Sequence, residues 1–262
     1  MQWLARGEPA VPAGDGWLTG AEAARASGMR FTKRRSEYRL RRYAGKCAVA
    51  EVVGLDVDPA SLARIAVLNA PTGAPYVKVD GRRIGMDVSL TDRAGWAVCL
   101  VGSDLGAVGC DLEIVEPRSD GFVRDFLTVA EQSLVRSLPD PDSRAAAANL
   151  VWSAKESALK VLRTGLRADT RTVEIALDDP AAVADGGFGS GRDSDPWHRL
   201  SADTVLGRLP GWWRRDGRFL LTVVTGAGAA PGVADPPRQL QGSADLARAE
   251  PVETWRTRPL AD

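Results

Sequence analysis

"DSRAAAANLVWSAKESALKVL", residues 142–162, is the stretch from which the rest of the chain can be organised. It is rich in Ala, holds no Gly or Pro and stops before Thr164-Gly165, which predicts one long helix. Trp152, Glu156 and Lys160 recur at i, i+4 and i+8 and therefore share a stripe. One reading of that stripe is a surface Glu156–Lys160 pair worth a few tenths of a kcal/mol. The other is a charged face turned toward a ligand. Upstream, "GAVGCDLEIVE" predicts a strand on which Asp111 and Glu113, two residues apart, point to one face while Leu112 points to the core. Two carboxylates on one face repel unless solvent or a cation relieves them. A solvated strand face satisfies the first condition, and a hard divalent ion with oxygen ligands satisfies the second.

Composition narrows the choice. With 44% hydrophobic and 26% charged residues, the 262-residue chain has the balance of a soluble globular protein with a core. Lys+Arg and Asp+Glu both total 34, so no global field favours nucleic acid or an acidic membrane. An anionic ligand must then be held by a local basic cluster. Cys47, Cys99 and Cys110 are odd in number and form no CxxC pair, the pattern of buried thiols in a reducing compartment. His198 stands alone in a polar stretch, which argues against histidine triads and His-rich zinc sites. Neither a signal-peptide core nor a long apolar run is evident, and the expectation is a cytoplasmic protein.

Outward from the long helix, "TGAEAARASG" suggests a short first helix. "FTKRRSEYRLRRYAGKCAVAEVVG" follows as an amphipathic helix ending near Gly54. Leu40, Tyr43, Ala44, Cys47 and Ala48 line its apolar face, and Arg39, Arg42 and Lys46 the opposite, solvated one. "TGAPYVKVDGRRIGMDVSL" reads as strands turning at Asp80-Gly81, with "GWAVCLVG" a further strand. Past Pro117 the chain turns helical, and Thr128 with Glu131 forms a capping-box pattern in "FLTVAEQSLVRSL". "RTVEIAL" is a strand, a Gly/Asp/Ser loop follows, and "GWWRRDGRFLLTVV" is a hairpin turning at Asp216-Gly217. From Gly226 onward the Pro/Ala/Gly-rich sequence has no periodicity and is expected to be mobile. The fold class expected is α+β with two similar lobes, residues 1–102 and 103–225, and a tail at 226–262. No sequence repeat supports the likeness of the lobes.

"VGCDLE", then "FLTVAEQ", then "WSAKESALK" resembles the signature of the 4′-phosphopantetheinyl transferases. The likeness is to the larger, two-lobed kind that activates polyketide and nonribosomal peptide synthetases. That family's motifs run roughly G-[IV]-D-x-E and W-x-x-K-E-[SA]-x-x-K, and they align with Gly109–Glu113 and Trp152–Lys160. The resemblance covers roughly residues 30–225. It implies a pseudo-twofold pair of lobes with coenzyme A in the cleft between them. It also implies transfer of phosphopantetheine from coenzyme A to a serine of an acyl or peptidyl carrier protein, releasing 3′,5′-ADP.

Carried over residue by residue, the resemblance makes Asp111, Glu113 and Glu156 the ligands of Mg²⁺ with the coenzyme A pyrophosphate. Glu156, or Glu131 through a metal-bound water, would take the serine proton. Lys160 would stabilise the leaving 3′,5′-ADP, and Lys155 would hold the diphosphate. Arg41 and Arg42 would meet the 3′-phosphate and its neighbours, and Gly73-Ala74-Pro75 the adenine. Where the family has a Ser-His pair, this chain has Thr91-Asp92; either Arg93 supplies the charge that is lost or Asp92 turns away. Phe122, Phe126 and Leu127 are either core positions or an apolar landing for a carrier helix. The implied protein is a monomer with neither nucleic acid nor membrane as partner. Two other readings stand beside it: a catalytically weak paralogue that only binds coenzyme A or a carrier, and a non-enzymatic interaction protein.

Overall fold

The computed structural model describes residues 1–102, 106–164, 168–184, 197–226 and 235–252. The chain divides into two compact units, one of Met1–Asp104 with Pro237–Asp245 and Glu250–Asp262, the other of Leu105–Pro236 with Leu246–Ala249. Both mix helices with antiparallel strands, so the α+β class holds.

The first unit opens with strand β1 (Gln2–Gly7), helix α1 (Gly20–Ser27), helix α2 (Thr32–Val53) and short helix α3 (Pro59–Ala63). Strands β2 (Ile65–Asn69), β3 (Pro75–Val79), β4 (Arg82–Arg83), β5 (Asp87–Arg93) and β6 (Trp96–Gly102) follow. β2, β3 and β4 form one small sheet, while β1 lies beside β6, and β6 beside β5, in another. Gly54, at φ 74°, ends α2 where the sequence places its end, because its left-handed backbone closes the helix without a Cβ clash. The apolar stripe Leu40, Ala44, Cys47 and Ala48 is buried as its spacing predicts. Arg42 and Lys46, expected on a solvated face, are buried as well. The reason is that α1, α3 and β2 also pack on α2, so it has little free surface.

In the second unit come β7 (Val108–Ile114), α4 (Asp120–Phe126), α5 (Val129–Ser137), α6 (Pro141–Val161), β8 (Glu174–Leu177) and α7 (Ala181–Ala184). Strands β9 (His198–Thr204), β10 (Gly207–Asp216) and β11 (Phe219–Thr225) complete it, in a sheet of order β7-β11-β10-β9-β8. The capping box at Thr128 and Glu131 is present, and α6 rests on β7 and β11. Of the Gly/Asp/Ser loop expected over residues 178–195, Ala181–Ala184 form α7 instead, and residues 185–195 lie outside the described residues. Among the described residues, no helix is long and apolar enough to cross a membrane.

The tail expectation needs correction for residues 237–252. A strand β12 (Arg238–Gln239) pairs in parallel with β1, and Leu240, Leu246 and Ala249 are buried. Glu51 accepts from the backbone N–H groups of Gln241 (2.6 Å) and Gly242 (3.1 Å), and Trp96 Nε1 donates to Glu250 O at 2.8 Å. Lone apolar residues between polar ones give no period, so the sequence offered no sign of this docking. Each buried leucine contributes about 1.5–3 kcal/mol. Deleting residues 237–262 is therefore expected to lower the melting temperature by several degrees, and an unchanged thermal melt would show that the docked segment adds nothing.

Both units are built around the same polar core device. Glu22 lies in the capping box of α1 and Glu131 in that of α5. In the first unit Lys46 Nζ sits 2.7 Å from Glu22 and donates to Trp17 O and Leu62 O. In the second Lys155 Nζ sits 2.9 Å from Glu131 and donates to Thr170 O and Val173 O. The other carboxylate oxygen accepts a strand N–H, from Val67 at 2.9 Å or from Ile175 at 2.7 Å. All four side chains are buried, and the same number of positions separates glutamate from lysine in each unit. This is an internal repeat of architecture that overall sequence likeness does not reveal.

Candidate functional site

The close approach of α6 to β7 begins at Gly109. A Cβ at that position would overlap the carbonyl oxygen of Ser157, so only glycine lets helix and strand meet there. Two and four residues on, Asp111 and Glu113 point to the same side of the sheet as Gly109, toward the helix. Both are buried, so the solvated-strand reading fails. Lys160 Nζ donates to Asp111 Oδ1 at 2.9 Å and to Cys110 O at 2.7 Å. Arg118 donates to Glu113 at 3.1 Å and to Asn149 Oδ1 at 2.6 Å.

Glu156, one turn before Lys160, is the third carboxylate of this group. Burial raises its pKa to about 7, helped by repulsion from Asp111 and Glu113 and opposed by Lys160. Burial works to lower the pKa of Lys160, yet Asp111, Cys110 and Glu156 together outweigh it and the lysine is held above its ordinary value. The Glu156–Lys160 stripe is thus turned inward onto β7 and is no surface pair. Glu156 Oε1 is buried and has no hydrogen-bond partner.

That orphaned oxygen bears on whether a metal ion fits. Three mutually repelling carboxylates, one with an unsatisfied buried oxygen, are the donor chemistry of a hard divalent cation. Yet among the described residues no three His, Cys, Asp or Glu side chains stand in an arrangement that could hold an ion. Two of the carboxylates are ion-paired: Lys160 with Asp111 and Arg118 with Glu113. The residues fit a cation in kind, and an ion binding here would compete with these two side chains.

Two other expected site residues have a different task. Glu131 and Lys155 are enclosed, and their polar atoms are spent on each other, on the capping box and on backbone groups. Glu131 cannot reach a serine proton, nor Lys155 a diphosphate, from such a position. Their repetition as Glu22 and Lys46 identifies them as fold-forming.

The repeat also works as an internal control. Counting from the paired lysines, Cys47 stands in α2 where Glu156 stands in α6. Leu4 pairs with Cys99 in the first unit as Asp111 pairs with Thr222 in the second. Cys99 and Thr222 are equivalent, each third after the first residue of the returning hairpin strand. The same framework therefore forms without any carboxylate at these positions.

In the first unit the substrate-binding expectations divide. Arg42 is buried, stacks on Tyr38 at 4.6 Å and donates to Asn69 Oδ1 at 2.6 Å. Asn69 in turn donates to Gly73 O at 2.8 Å, so Arg42 braces the turn carrying Gly73, Ala74 and Pro75. Its side chain is buried where a solvated one was expected, with Nε left without a hydrogen-bond partner. Arg41 is partly exposed and forms an ion pair with Asp92, which answers what becomes of that anion. Thr91 is buried within β5, and Arg93 is half-buried at its end. Phe122, Phe126 and Trp152 form a half-buried aromatic cluster with ring centroids 4.9–5.2 Å apart, and Arg118 lies over Phe122 at 4.7 Å. Leu127 beside them is fully buried and belongs to the core. Arg118 escaped sequence reasoning because nothing around Pro117 marks it as the partner of Glu113.

A family model described as the 4′-phosphopantetheinyl transferase superfamily matches residues 107–203. No curated protein matches the chain. The matched stretch contains β7, α6 and all three coupled carboxylates.

Proposed function

We propose, from the match of residues 107–203 to the 4′-phosphopantetheinyl transferase superfamily model, that this protein moves phosphopantetheine from coenzyme A to a serine of an acyl or peptidyl carrier protein. The observation that carries the reading is the group of buried Asp111 and Glu113 with partly buried Glu156, which the equivalent framework of the first unit does without.

In this reading Asp111, Glu113 and Glu156 would hold Mg²⁺. When bound, the ion supplies charge neutralisation at the phosphoryl group being transferred. Glu156, whose buried Oε1 has no hydrogen-bond partner, is the residue proposed to take the serine proton. Lys160 keeps a positive charge beside these carboxylates and is suited to the phosphate of the leaving 3′,5′-ADP. Arg41 is the partly exposed cation of α2 proposed for the coenzyme A 3′-phosphate, with Asp92 as its resting partner. Phe122, Phe126 and Trp152 would offer apolar surface to the carrier, with Arg118 at the edge.

The test is mass spectrometry of an apo-carrier domain incubated with this protein, coenzyme A and Mg²⁺. The carrier should gain one phosphopantetheine, and EDTA should abolish the gain. No gain across carriers from several synthetases would refute the transferase reading and favour a protein that only binds.

A further inference from the structure

We propose that the hydroxyls of Ser153, Ser157 and Thr222 are positioning residues that set the rotation and height of α6 over β7, and thereby hold Glu156 and Lys160 against Asp111. The proposal rests on the transferase reading for its purpose, and on packing for its geometry. Thr222 Oγ1 lies 2.8 Å from Ser153 Oγ and 2.8 Å from Ser157 Oγ, and Ser157 Oγ also approaches Thr222 O at 3.3 Å. All three side chains are fully buried. Ser153 and Ser157 are spaced i, i+4 and make one stripe of α6; Glu156 and Lys160 make the adjoining stripe. On the sheet, Thr222 and Asp111 are directly opposed across β11 and β7. Locking the serine stripe onto Thr222 therefore lays the Glu156–Lys160 stripe over Asp111. Gly109 beneath Ser157 permits the same close approach.

The first unit shows that the fold does not need these hydroxyls. Counting from Lys46 and Lys155, Ala44 and Ala48 stand where α6 has Ser153 and Ser157, and Cys99 stands for Thr222. All three are buried, and the helix packs on its sheet there with no hydroxyl contact of this kind. The cluster of three hydroxyls joins helix to sheet in the copy that carries the carboxylates. Apolar packing tolerates small rotations and slides of a helix, whereas three converging hydroxyls define one register.

The decisive variant is the triple change Ser153→Ala, Ser157→Ala, Thr222→Cys, which rebuilds the packing of the first unit and leaves no hydroxyl unpaired. Its melting temperature should stay within a few degrees of the wild type. Its affinity for Mg²⁺, titrated by calorimetry with coenzyme A present, should fall about tenfold or more, the scale for losing groups that orient metal ligands. Transfer turnover should fall with it, while Thr222→Ser, which keeps the hydroxyl, should retain both. A second readout needs neither metal nor activity. The slowly exchanging ammonium signal of Lys160, held by Asp111 and Cys110 O, should be seen by NMR in the wild type and Thr222→Ser and be lost in the triple variant. Wild-type Mg²⁺ affinity and an intact Lys160 signal in the triple variant would overturn the proposal, as would equal losses in Thr222→Ser. A wild type that neither binds Mg²⁺ nor transfers would sink the function reading alone, because the Lys160 signal still decides the positioning.

Discussion

Glu156→Gln is expected to lower phosphopantetheine transfer by about a hundredfold or more, the scale of losing a general base, and at the same time to stabilise the metal-free protein above neutral pH. The second half follows from proton linkage. An ordinary glutamate titrates near 4.5, and in the folded protein Glu156 titrates near 7 because burial and the neighbouring Asp111 disfavour its charge. The native state thus binds this proton more tightly than the unfolded chain does. Its contribution is fully present below pH 4.5, is lost as pH rises through 7, and is absent above that. The loss amounts to a few kcal/mol at most, since the side chain is only partly buried and solvent screens it. Glutamine has no proton to lose and should hold its stability across that window. Thermal melts in EDTA should therefore coincide for the two proteins near pH 4.5 and separate by several degrees at pH 8, with the variant higher. Unchanged turnover together with coincident melts at both pH values would return Glu156 to a plain charge pair with Lys160.

Such a trade of stability for chemistry shows which parts of the molecule were legible in the sequence. The long helix, the strand bearing Asp111 and Glu113, the capping box at Thr128 and the glycine stop at Gly54 each rest on local rules of spacing and backbone freedom. Periodicity put Asp111 and Glu113 on one strand face and Glu156 on a helix stripe, but only the motif resemblance joined the three. Burial of charge was not. Arg42 and Lys46 lie in a run of basic residues that reads as a wet surface, and only tertiary packing brings Asn69 and Glu22 to them. One local signal was available: the capping-box glutamate and the lysine downstream recur at equal separation in both units. The pairing of Thr222 with Asp111 depends on which strand lies beside β7, and no local pattern specifies that. The docked segment at 237–252 escaped for the same reason, since its partners are β1 and Glu51, far away in sequence.

Lys155→Ala offers the sharpest distinction between a lysine that binds substrate and one that holds the fold. A lysine touching a diphosphate would, when removed, weaken coenzyme A binding and leave the melting temperature in place. Lys155 has no exposed surface and sits 2.9 Å from an equally buried Glu131. Taking it away strands that carboxylate, at a cost of about 3–5 kcal/mol. A chain of this length should then melt roughly 10 °C lower, at 2–4 °C for each kcal/mol. Pairing the change with Glu131→Gln and using Met in place of Lys155 should recover much of the loss, because no unpaired charge remains and Gln can still cap α5. The matching experiment lies in the first unit. Lys46→Ala breaks the same device beside Glu22, in a framework with no candidate catalytic carboxylate at the equivalent positions, and should cost a similar amount. If Lys155→Ala instead keeps its melting temperature and raises the KM for coenzyme A while Lys46→Ala unfolds, the two lysines do not share a task. Equal destabilisation would make Glu131–Lys155 a structural pair preserved in both units, and leave Glu156 and Lys160 as the part of the helix motif that acts on the substrate.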